Sequence, residues 1–239
     1  MWTGRNTRCA THRTREGDAR AVNDAESPKG TLELSCEDCM ALMARYPDKH
    51  FDLAIVDPPY GIGKWSASSG ANTLTPEEAK KINGWDVRAP SAEYFAELRR
   101  VSRYQIVWGG NYFLEHLGNC FHVVVWDKKN RGMHLADGEV AWTSMRGTAM
   151  RIFEHHLGID SKGGNRIHPT QKPVALYRWL LANYAKPGQR ILDTHLGSGS
   201  HAIAAHYFGA HLTACEIDAD YFAAATARIQ RETAQTTFL

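Results

Sequence analysis

Residues 57–60, Asp-Pro-Pro-Tyr, carry the residue types with the clearest chemical use in this chain of 239 residues. They directly follow the apolar residues 53–56, which indicates a buried parallel strand that ends at Asp57. Proline has no N–H group and fixes φ, so the backbone after Asp57 follows one course with its carbonyl groups free. Ligands bind at the carboxyl edge of an open α/β sheet. The groups predicted to converge at that edge belong to Asp57, Pro58, Pro59 and Tyr60.

These groups suit the activation of an amine that is a poor nucleophile. The exocyclic amine of a nucleobase has its lone pair conjugated into the ring, and acceptors that hold its two hydrogens would draw the nitrogen towards tetrahedral geometry. The Asp57 carboxylate and the Pro58 carbonyl can be those acceptors. Tyr60 could then stack on a base that has swung out of its helix. For four residues alone, a plain strand-to-turn junction remains an alternative.

A second candidate element spans residues 190–200, where a strand, an acidic residue and a loop of small residues open an alanine-rich helix. This order is half of a dinucleotide-binding fold, but the three-glycine pattern that holds a pyrophosphate is incomplete. The next predicted strand, 212–215, ends in Glu216, 23 residues after Asp193. An acid at that strand end is placed to accept both hydroxyl groups of a ribose, and Ile217 could pack on an adenine ring.

A third element, residues 168–173, precedes a helix predicted from residue 174 to about 184 and has the sequence His-Pro-Thr-Gln-Lys-Pro. Prolines that open a helix leave its first N–H groups and its positive dipole end available to an anionic group such as a carboxylate. An isolated helix start of this kind would not indicate a binding site, but its position just before the second element favours one.

Together the three elements resemble the beta group of DNA amino-methyltransferases, the enzymes that make N6-methyladenine or N4-methylcytosine. The Asp-Pro-Pro-Tyr stretch resembles their catalytic motif, and residues 168–173 resemble the segment, often His-Pro-x-Gln-Lys-Pro, that precedes their cofactor-binding motif. The catalytic strand comes before the cofactor strand, which is the circularly permuted order of this group. The resemblance covers roughly residues 31–232.

The resemblance implies an α/β fold of the Rossmann-like methyltransferase type in circularly permuted order. We expect a doubly wound, mostly parallel, seven-stranded sheet with one antiparallel hairpin strand. Its cofactor half needs one more strand beyond Glu216, and the short alternating stretch at residue 32 can supply it, followed by a helix over 38–45. A further helix is expected from Ser91 to about Arg103 and a strand over 104–108, whereas residues 62–90 and 146–167 are expected to be loops.

The implied cofactor is S-adenosylmethionine, which carries no phosphate. Glycine and serine residues would let the backbone approach its methionine portion, and Asp193 would meet the ammonium group or an ordered water. His195 stands where the family usually has Phe, so the resemblance does not decide whether residue 195 packs against the cofactor. The residues expected to bind the cofactor are Asp38, Cys39, Asp57, His168, Thr170, Lys172, Asp193, His195, Gly197, Ser198, Gly199, Ser200, Glu216 and Ile217.

The implied partner is DNA. The strands predicted at 121–126 and 139–143 form an antiparallel hairpin with a basic tip, which either contacts phosphates or is a solvated turn. Only about 20 residues separate this hairpin from residue 168, whereas family members commonly carry a sizeable recognition domain there. A short or relaxed recognition sequence, contacted by loops 62–90 and 127–167, is therefore predicted. The candidate DNA-binding residues are Lys128, Lys129, Arg131 and Arg166.

Composition sets the remaining expectations. Residues 1–30 lack apolar periodicity and are expected to be a disordered leader, or else a basic arm, and residues 31–239 a single methyltransferase domain. A net charge of +2 places any DNA binding in local basic loops. No stretch is long and apolar enough for a membrane span, and five cysteines do not suggest a disulfide framework or a metal site, so we expect a cytoplasmic protein without a metal.

The predicted function is therefore S-adenosylmethionine-dependent methylation of a base amine in DNA, most simply adenine N6, because Ser is commoner than Asp at the first motif position in cytosine-N4 enzymes. Three alternatives stay open: cytosine-N4 methylation, methylation of RNA or of a protein glutamine, and a non-catalytic nucleic-acid-binding module. The resemblance also suggests an intracellular protein of bacterial or phage-like type, as in restriction-modification. A homodimer through residues 111–114 is possible, although burial of that stretch in the monomer is the alternative.

Overall fold

The computed structural model of the chain describes residues 30–62, 88–132, 136–156, 167 and 170–234. These residues form one sheet of eight strands with helices on both faces. The strands are β1 (Leu32–Cys36), β2 (Phe51–Val56), β3 (Ser102–Trp108), β4 (Val123–Asp127), β5 (Gly138–Thr143), β6 (Met150–Glu154), β7 (Arg190–Asp193) and β8 (His211–Glu216). The helices are α1 (Cys39–Ala44), α2 (Ala92–Val101), α3 (Leu114–Leu117), α4 (Val174–Tyr184), α5 (Ser200–Phe208) and α6 (Ala219–Ala234), and a 3-10 turn spans Gly110–Tyr112.

The strand order is β1-β8-β7-β2-β3-β5-β4-β6. Every neighbouring pair is parallel except those of β5, which runs antiparallel to both β3 and β4. The predicted mostly parallel sheet with one antiparallel hairpin strand is therefore confirmed. Because β2, β7, β8 and β1 are parallel neighbours, their carboxyl ends meet at one edge of the sheet.

The predicted strand near residue 32 lies where the permuted order requires it. β1 pairs with β8 in parallel from Leu32 opposite Leu212 to Cys36 opposite Glu216. The turn after β1 therefore lies beside the end of β8, which brings Asp38 close to the glycine loop after β7. Asp38 caps α1, since its Oδ1 accepts hydrogen bonds from the N–H groups of Met40 and Ala41.

The predicted number of seven strands and the expected loop over residues 146–167 are wrong at β6. This strand pairs in parallel with β4, from Val123 opposite Met150 to Asp127 opposite Glu154. The side chains of β6 do not alternate between buried and exposed positions, so the sequence carries no strand pattern there, and Met150 and Ile152 are exposed. The strand exists because the unpaired edge of β4 accepts main-chain hydrogen bonds, which do not depend on side-chain type.

Both faces of β2 are buried, which fixes the position of the strand that precedes Asp57. Leu53 and Ile55 pack with α4 and α5 on one face, whereas Ala54 and Val56 pack with α1 and α2 on the other. An apolar strand covered on both sides is typical of a parallel sheet. None of the described helices is long and apolar enough to cross a membrane.

Candidate active site

A cavity of about 520 Å³ opens at the carboxyl edge of the sheet. It joins the end of β2 to the glycine loop after β7 and to the end of β8. Most of the predicted site residues line it: Asp38, Cys39, Asp57, Pro58, Pro59, Tyr60, Lys128, Thr170, Lys172, His195, Gly197, Ser198, Ser200, Glu216 and Ile217. His168 and Arg166 lie outside the described residues. The cavity thus has two halves, one at β2 and one at β7 and β8.

The acceptor half comprises Asp57, Tyr60, Lys128, Glu139 and Lys172. The Tyr60 hydroxyl donates a hydrogen bond of 2.8 Å to Asp57 Oδ1. The Lys172 ammonium lies 2.6 Å from Asp57 Oδ2 and above the ring of Trp108. The lysine of the 168–173 segment therefore binds the carboxylate of the 57–60 motif, 115 residues earlier in the chain.

Glu139 completes this half and is not one of the site residues predicted from the sequence. Its Oε2 lies 2.9 Å from Lys172 Nζ and its Oε1 lies 2.6 Å from Lys128 Nζ. Glu139 is the only charged residue of β5, whose other positions are Gly, Val, Ala, Trp and Thr. A lone carboxylate in an otherwise apolar strand is the signal that could have identified it.

The charges of the acceptor half shift its pKa values in different directions. Burial raises the pKa of Asp57, the Lys172 ammonium opposes that rise, and the Glu139 carboxylate adds to it. Burial also acts to raise the pKa of Glu139, but Lys172 and Lys128 outweigh it and lower this pKa to about 2. Burial acts to lower the pKa of Lys172, and the two carboxylates raise it. Glu139 therefore stays ionised, and Asp57 is the carboxyl group that takes a proton first.

Tyr60 is held by a glycine on the neighbouring strand end. Gly109 has φ of +65°, and a Cβ atom added there would overlap the Tyr60 ring. The ring stacks on Tyr112 with 5.1 Å between centroids and 20° between planes, and its edge meets Phe113. Since Tyr112 is about half exposed, an aromatic surface lies at the mouth of the cavity.

The loop half comprises Asp193, His195, Gly197 and Glu216. Glu216 Oε2 accepts a hydrogen bond of 2.9 Å from the N–H of Gly197, and its Oε1 accepts one of 3.1 Å from the N–H of Asp218. Burial raises the pKa of Glu216, and these two main-chain donors oppose the rise. The carboxylate thus connects the glycine loop to the turn after β8 and still faces the cavity.

Asp193 is buried beneath the loop and is not among the residues that line the cavity. Its Oδ1 accepts a hydrogen bond of 3.0 Å from the N–H of His195, and its Oδ2 lies 2.9 Å from His201 Nδ1. Gly199 also lies outside the lining, because its Cα packs against Ile229, to which an added Cβ would come within 2.8 Å. Contacts of Asp193 and Gly199 with a ligand stay predictions.

His195 lines the cavity as a neutral imidazole. Burial lowers its pKa to about 4. Its Nδ1 lies 2.9 Å from the Thr194 hydroxyl, and its ring meets the edge of Tyr94 at 5.7 Å between centroids. A neutral, packed ring offers the cavity much the same surface as a phenylalanine would.

The cysteine at the cavity wall carries a thiol at neutral pH. Burial raises the pKa of Cys39 to about 11, and the Asp38 carboxylate adds to the rise. Among the described residues, no group of His, Cys, Asp and Glu side chains could hold a metal ion.

The three described basic residues of the hairpin are already paired. Lys128 turns inwards to Glu139, Lys129 pairs with Glu154 at 2.6 Å, and Arg131 pairs with Asp127 at 2.7 Å. Lys129 and Arg131 are exposed enough to exchange these partners for phosphates, whereas the Lys128 side chain is only 12% exposed. Contact of these residues with DNA stays a prediction.

The stretch expected as a dimer contact is partly exposed. Within residues 111–114, Tyr112 and Leu114 are half exposed, whereas Phe113 is buried in the core between the sheet and α2. One part of the stretch is thus exposed, as a dimer contact requires, and another part is buried in the monomer. Dimerisation stays a prediction.

Comparison with known proteins identifies similar chains and folds. A protein of Escherichia coli (strain K12), YubD, described as a candidate methylase, is 27% identical over 204 residues, which are 80% of this chain and 87% of YubD. The complex of M1.HpyAVI with S-adenosylmethionine is 18% identical with a TM-score of 0.55 over 83% of this chain and all of that one. The cytosine-N4-specific PvuII DNA methyltransferase is 11% identical with a TM-score of 0.55 over 87% and 92% of the two chains.

The family model described as DNA methylase matches residues 107–227, about half of the chain. The match begins within β3 and ends within α6, so it includes Glu139, the 168–173 segment and the glycine loop. On this match the chain belongs to the N6/N4 family of DNA methylases.

Proposed function

We propose that this DNA methylase transfers the methyl group of S-adenosylmethionine to N6 of adenine in DNA, with Asp57 and the Pro58 carbonyl holding the amine. The observation that carries the proposal is the single cavity that contains both the Asp57 carboxylate and the Gly197–Glu216 loop contact. The neighbour M1.HpyAVI was solved with S-adenosylmethionine, which supports the choice of cofactor.

The loop half fits such a cofactor. Each oxygen of Glu216 accepts one main-chain hydrogen bond and keeps a lone pair, so the carboxylate can also accept the two ribose hydroxyls. Ile217 is 69% exposed beside it and offers an apolar surface to the adenine ring. The N–H groups of the loop and of the helix start after Pro173 would meet the methionine carboxylate. Of the predicted residues, Asp38, Cys39 and Thr170 would form the rest of the wall.

Asp57 supplies the acceptor for the reaction. Both of its oxygens already accept one hydrogen bond, and a remaining lone pair can accept one amine hydrogen while the Pro58 carbonyl accepts the other. When bound, S-adenosylmethionine supplies a methyl group on a sulfonium. The amine nitrogen forms the N–CH₃ bond as the S–CH₃ bond breaks, the sulfur keeps the bonding electron pair, and Asp57 takes the proton that the nitrogen loses. Tyr60 would support the flipped base by stacking.

Adenine is proposed because Asp occupies the first motif position. To test this, DNA is incubated with the protein and S-adenosylmethionine labelled in the methyl group, then digested to nucleosides and separated. Label in N6-methyldeoxyadenosine is expected. Label in N4-methyldeoxycytidine would overturn the choice of base, and label only in RNA or protein would overturn the choice of substrate.

Two variants separate the role of Asp57 from general damage. Asp57→Ala should bind S-adenosylmethionine and transfer no measurable methyl, because the amine loses its charged acceptor. Asp48→Ala is the matched control, since Asp48 precedes the same strand, is 79% exposed and lies far from the cavity edge. An Asp57→Ala protein with the wild-type rate would refute the proposed role.

We also propose that residues 31–239 act as one domain with a short or relaxed recognition sequence, contacted by loops 62–90 and 127–167, parts of which lie outside the described residues. Paired hairpin residues such as Lys129 and Arg131 would release their carboxylates to DNA phosphates. Sequencing of methylated bases in DNA from an expressing host tests this, and one strict motif of about six or more bases would contradict it.

A further inference from the structure

The acceptor half holds a buried group of two carboxylates and two ammonium groups, of which the proposed reaction uses only Asp57. Lys172 lies between the carboxylates, 2.6 Å from Asp57 Oδ2 and 2.9 Å from Glu139 Oε2, and its side chain is 3% exposed. A charge buried this completely is strongly destabilising without partners. When one carboxylate changes charge, the other one must keep Lys172 in place.

The two carboxylates differ in what binds them. Glu139 is bound by two cations, because Oε1 meets Lys128 at 2.6 Å and Oε2 meets Lys172, with the Tyr60 hydroxyl 3.4 Å away. Among the residues that the structure describes, Asp57 has Lys172 as its one cationic partner, and its other oxygen is bound by the neutral Tyr60 hydroxyl. Glu139 is therefore neutralised more fully, which agrees with the opposite directions in which the pKa values of the two groups are shifted.

The proposed reaction changes the charge of Asp57. When Asp57 takes the proton released by the amine, the ion pair with Lys172 is lost, and Glu139 is the only carboxylate of the described residues left beside that ammonium. We propose that Glu139 is a positioning residue for methyl transfer, which holds the Lys172 ammonium beside Asp57 while Asp57 gains and then releases the proton. This inference rests on the proposed function of Asp57.

The position of Glu139 also affects how basic Asp57 is. The groups that face Asp57 are Lys172 before α4, Tyr177 on α4, Tyr60 on its own loop and Glu139 on β5. Without the Glu139 charge, Asp57 would lose a like charge and would have Lys172 to itself. Both changes lower the pKa of Asp57 and make it a weaker proton acceptor.

Removal of Lys128 has the opposite effect. Glu139 would be less neutralised and would draw Lys172 towards itself. The repulsion on Asp57 would grow and the attraction from Lys172 would weaken, so the pKa of Asp57 would rise. Two variants in one cluster thus shift the same group in opposite directions, which loss of folded protein cannot do.

The test is single-turnover methyl transfer at saturating DNA and S-adenosylmethionine, measured from about pH 4 to 9. For Glu139→Gln we expect a plateau rate about 10- to 100-fold lower and an acid limb moved to lower pH. For Lys128→Met we expect the acid limb to move to higher pH. The dissociation constant of S-adenosylmethionine should stay at the wild-type value in both.

The matched control is Glu154→Gln, because Glu154 also pairs with a lysine of the hairpin, Lys129 at 2.6 Å, but is 60% exposed. It should leave rate and acid limb unchanged. Glu139→Asp, which keeps the charge, should restore the wild-type acid limb and most of the rate. If Glu139→Gln does not fold, the pH profiles of the transfer rate for Lys128→Met and Glu139→Asp test the inference instead.

The outcomes are distinguishable. A lower active fraction with an unmoved acid limb in Glu139→Gln, or shifts of the same sign in Glu139→Gln and Lys128→Met, would overturn the inference and leave the proposed function standing. A wild-type protein that transfers no methyl to any DNA would overturn the proposed function, and the inference with it.

Discussion

The two halves of the cavity hold their carboxylates in different ways. In the acceptor half, Asp57 and Glu139 are bound by side-chain ammonium groups, that of Lys172 before α4 and that of Lys128 in the β4–β5 hairpin. In the loop half, both oxygens of Glu216 and one oxygen of Asp193 accept hydrogen bonds from main-chain N–H groups within or next to the loop, and the other Asp193 oxygen meets the His201 imidazole.

The two halves therefore depend on different kinds of hydrogen-bond donor. Ammonium partners can move, exchange and respond to a change of charge, so the acceptor half is suited to a step in which a proton moves. Main-chain partners set a loop shape that changes little with charge, so the loop half is suited to binding. Variants of the acceptor half should therefore alter rate, and variants of the loop half should alter affinity.

The largest expected effect comes from Lys172→Met, which leaves Asp57 and Glu139 facing each other without the shared ammonium. We expect a loss of about 3–5 kcal/mol in the free energy of unfolding. The loss should grow from about pH 5 to 8. Without Lys172, one of the two carboxyl groups must keep a proton in the folded protein, so its pKa is higher there than in the unfolded chain. The folded state therefore becomes less stable as pH rises. Urea unfolding at several pH values measures it.

The matched control for that variant is Lys186→Met, since Lys186 is exposed on the loop after α4. It should change the free energy of unfolding by less than about 0.5 kcal/mol. A Lys172→Met protein as stable as this control would contradict the view that ion pairs hold the acceptor half together.

Gly109→Ala should lower the transfer rate by about 100-fold, because the new Cβ displaces the Tyr60 ring that binds Asp57. Gly188→Ala is the matched control: Gly188 also has positive φ, at +80°, but an added Cβ meets nothing within 4 Å. Both variants should lose about 1 kcal/mol of stability through backbone strain. Equal rates in the two, measured in single turnovers, would show that Tyr60 need not be held there.

Glu216→Gln should raise the dissociation constant of S-adenosylmethionine by about 10-fold, measured by titration calorimetry. An amide has one acceptor oxygen, so it cannot accept from both Gly197 and Asp218 and the loop loses one of its fixed contacts. The rate at saturating cofactor should change by less than about 3-fold. Glu115→Gln, at an 81% exposed position, is the control. A lower rate with unchanged affinity would reverse the assignment of the two halves.

The smallest effect is expected for His195→Phe. Since burial lowers the pKa of His195 to about 4, the imidazole is neutral and contributes packing rather than charge. The dissociation constant of S-adenosylmethionine should change by less than about 3-fold, and its dependence on pH from about 6 to 8 should keep its shape. A change in that shape would mean that His195 is protonated in the free protein.

The sequence predicted those site residues whose place follows from local pattern. Asp57 and Glu216 each end an apolar strand, and the ends of parallel strands must share an edge, so their meeting in one cavity follows from the pattern alone. The strand at residue 32 was predicted because β8 would otherwise have lacked a neighbour on one side.

Other features depend on contacts that local pattern does not contain. Glu139 reaches Asp57 only because β5 runs antiparallel beside β3, which lies next to β2. The β6 strand exists through main-chain pairing, and its exposed side chains give no periodic signal. The sequence places the acid Asp193 at the end of β7, but it does not show that His201, in the first turn of α5, takes the second oxygen of Asp193.

The pairing of β1 with β8 joins residues 180 positions apart, as in Leu32 and Leu212. On a ribosome that adds about 5–20 residues per second, β1 is therefore synthesised roughly 9–36 seconds before its partner. The strands β2 and β3, with Leu53 opposite Tyr104, can pair much sooner. A nascent chain can thus pair β2 with β3, which places Asp57 at the end of a paired strand, while β1 still lacks its partner. The unpaired β1, with its apolar Leu32 and Leu34, is the segment that a chaperone would need to cover during synthesis.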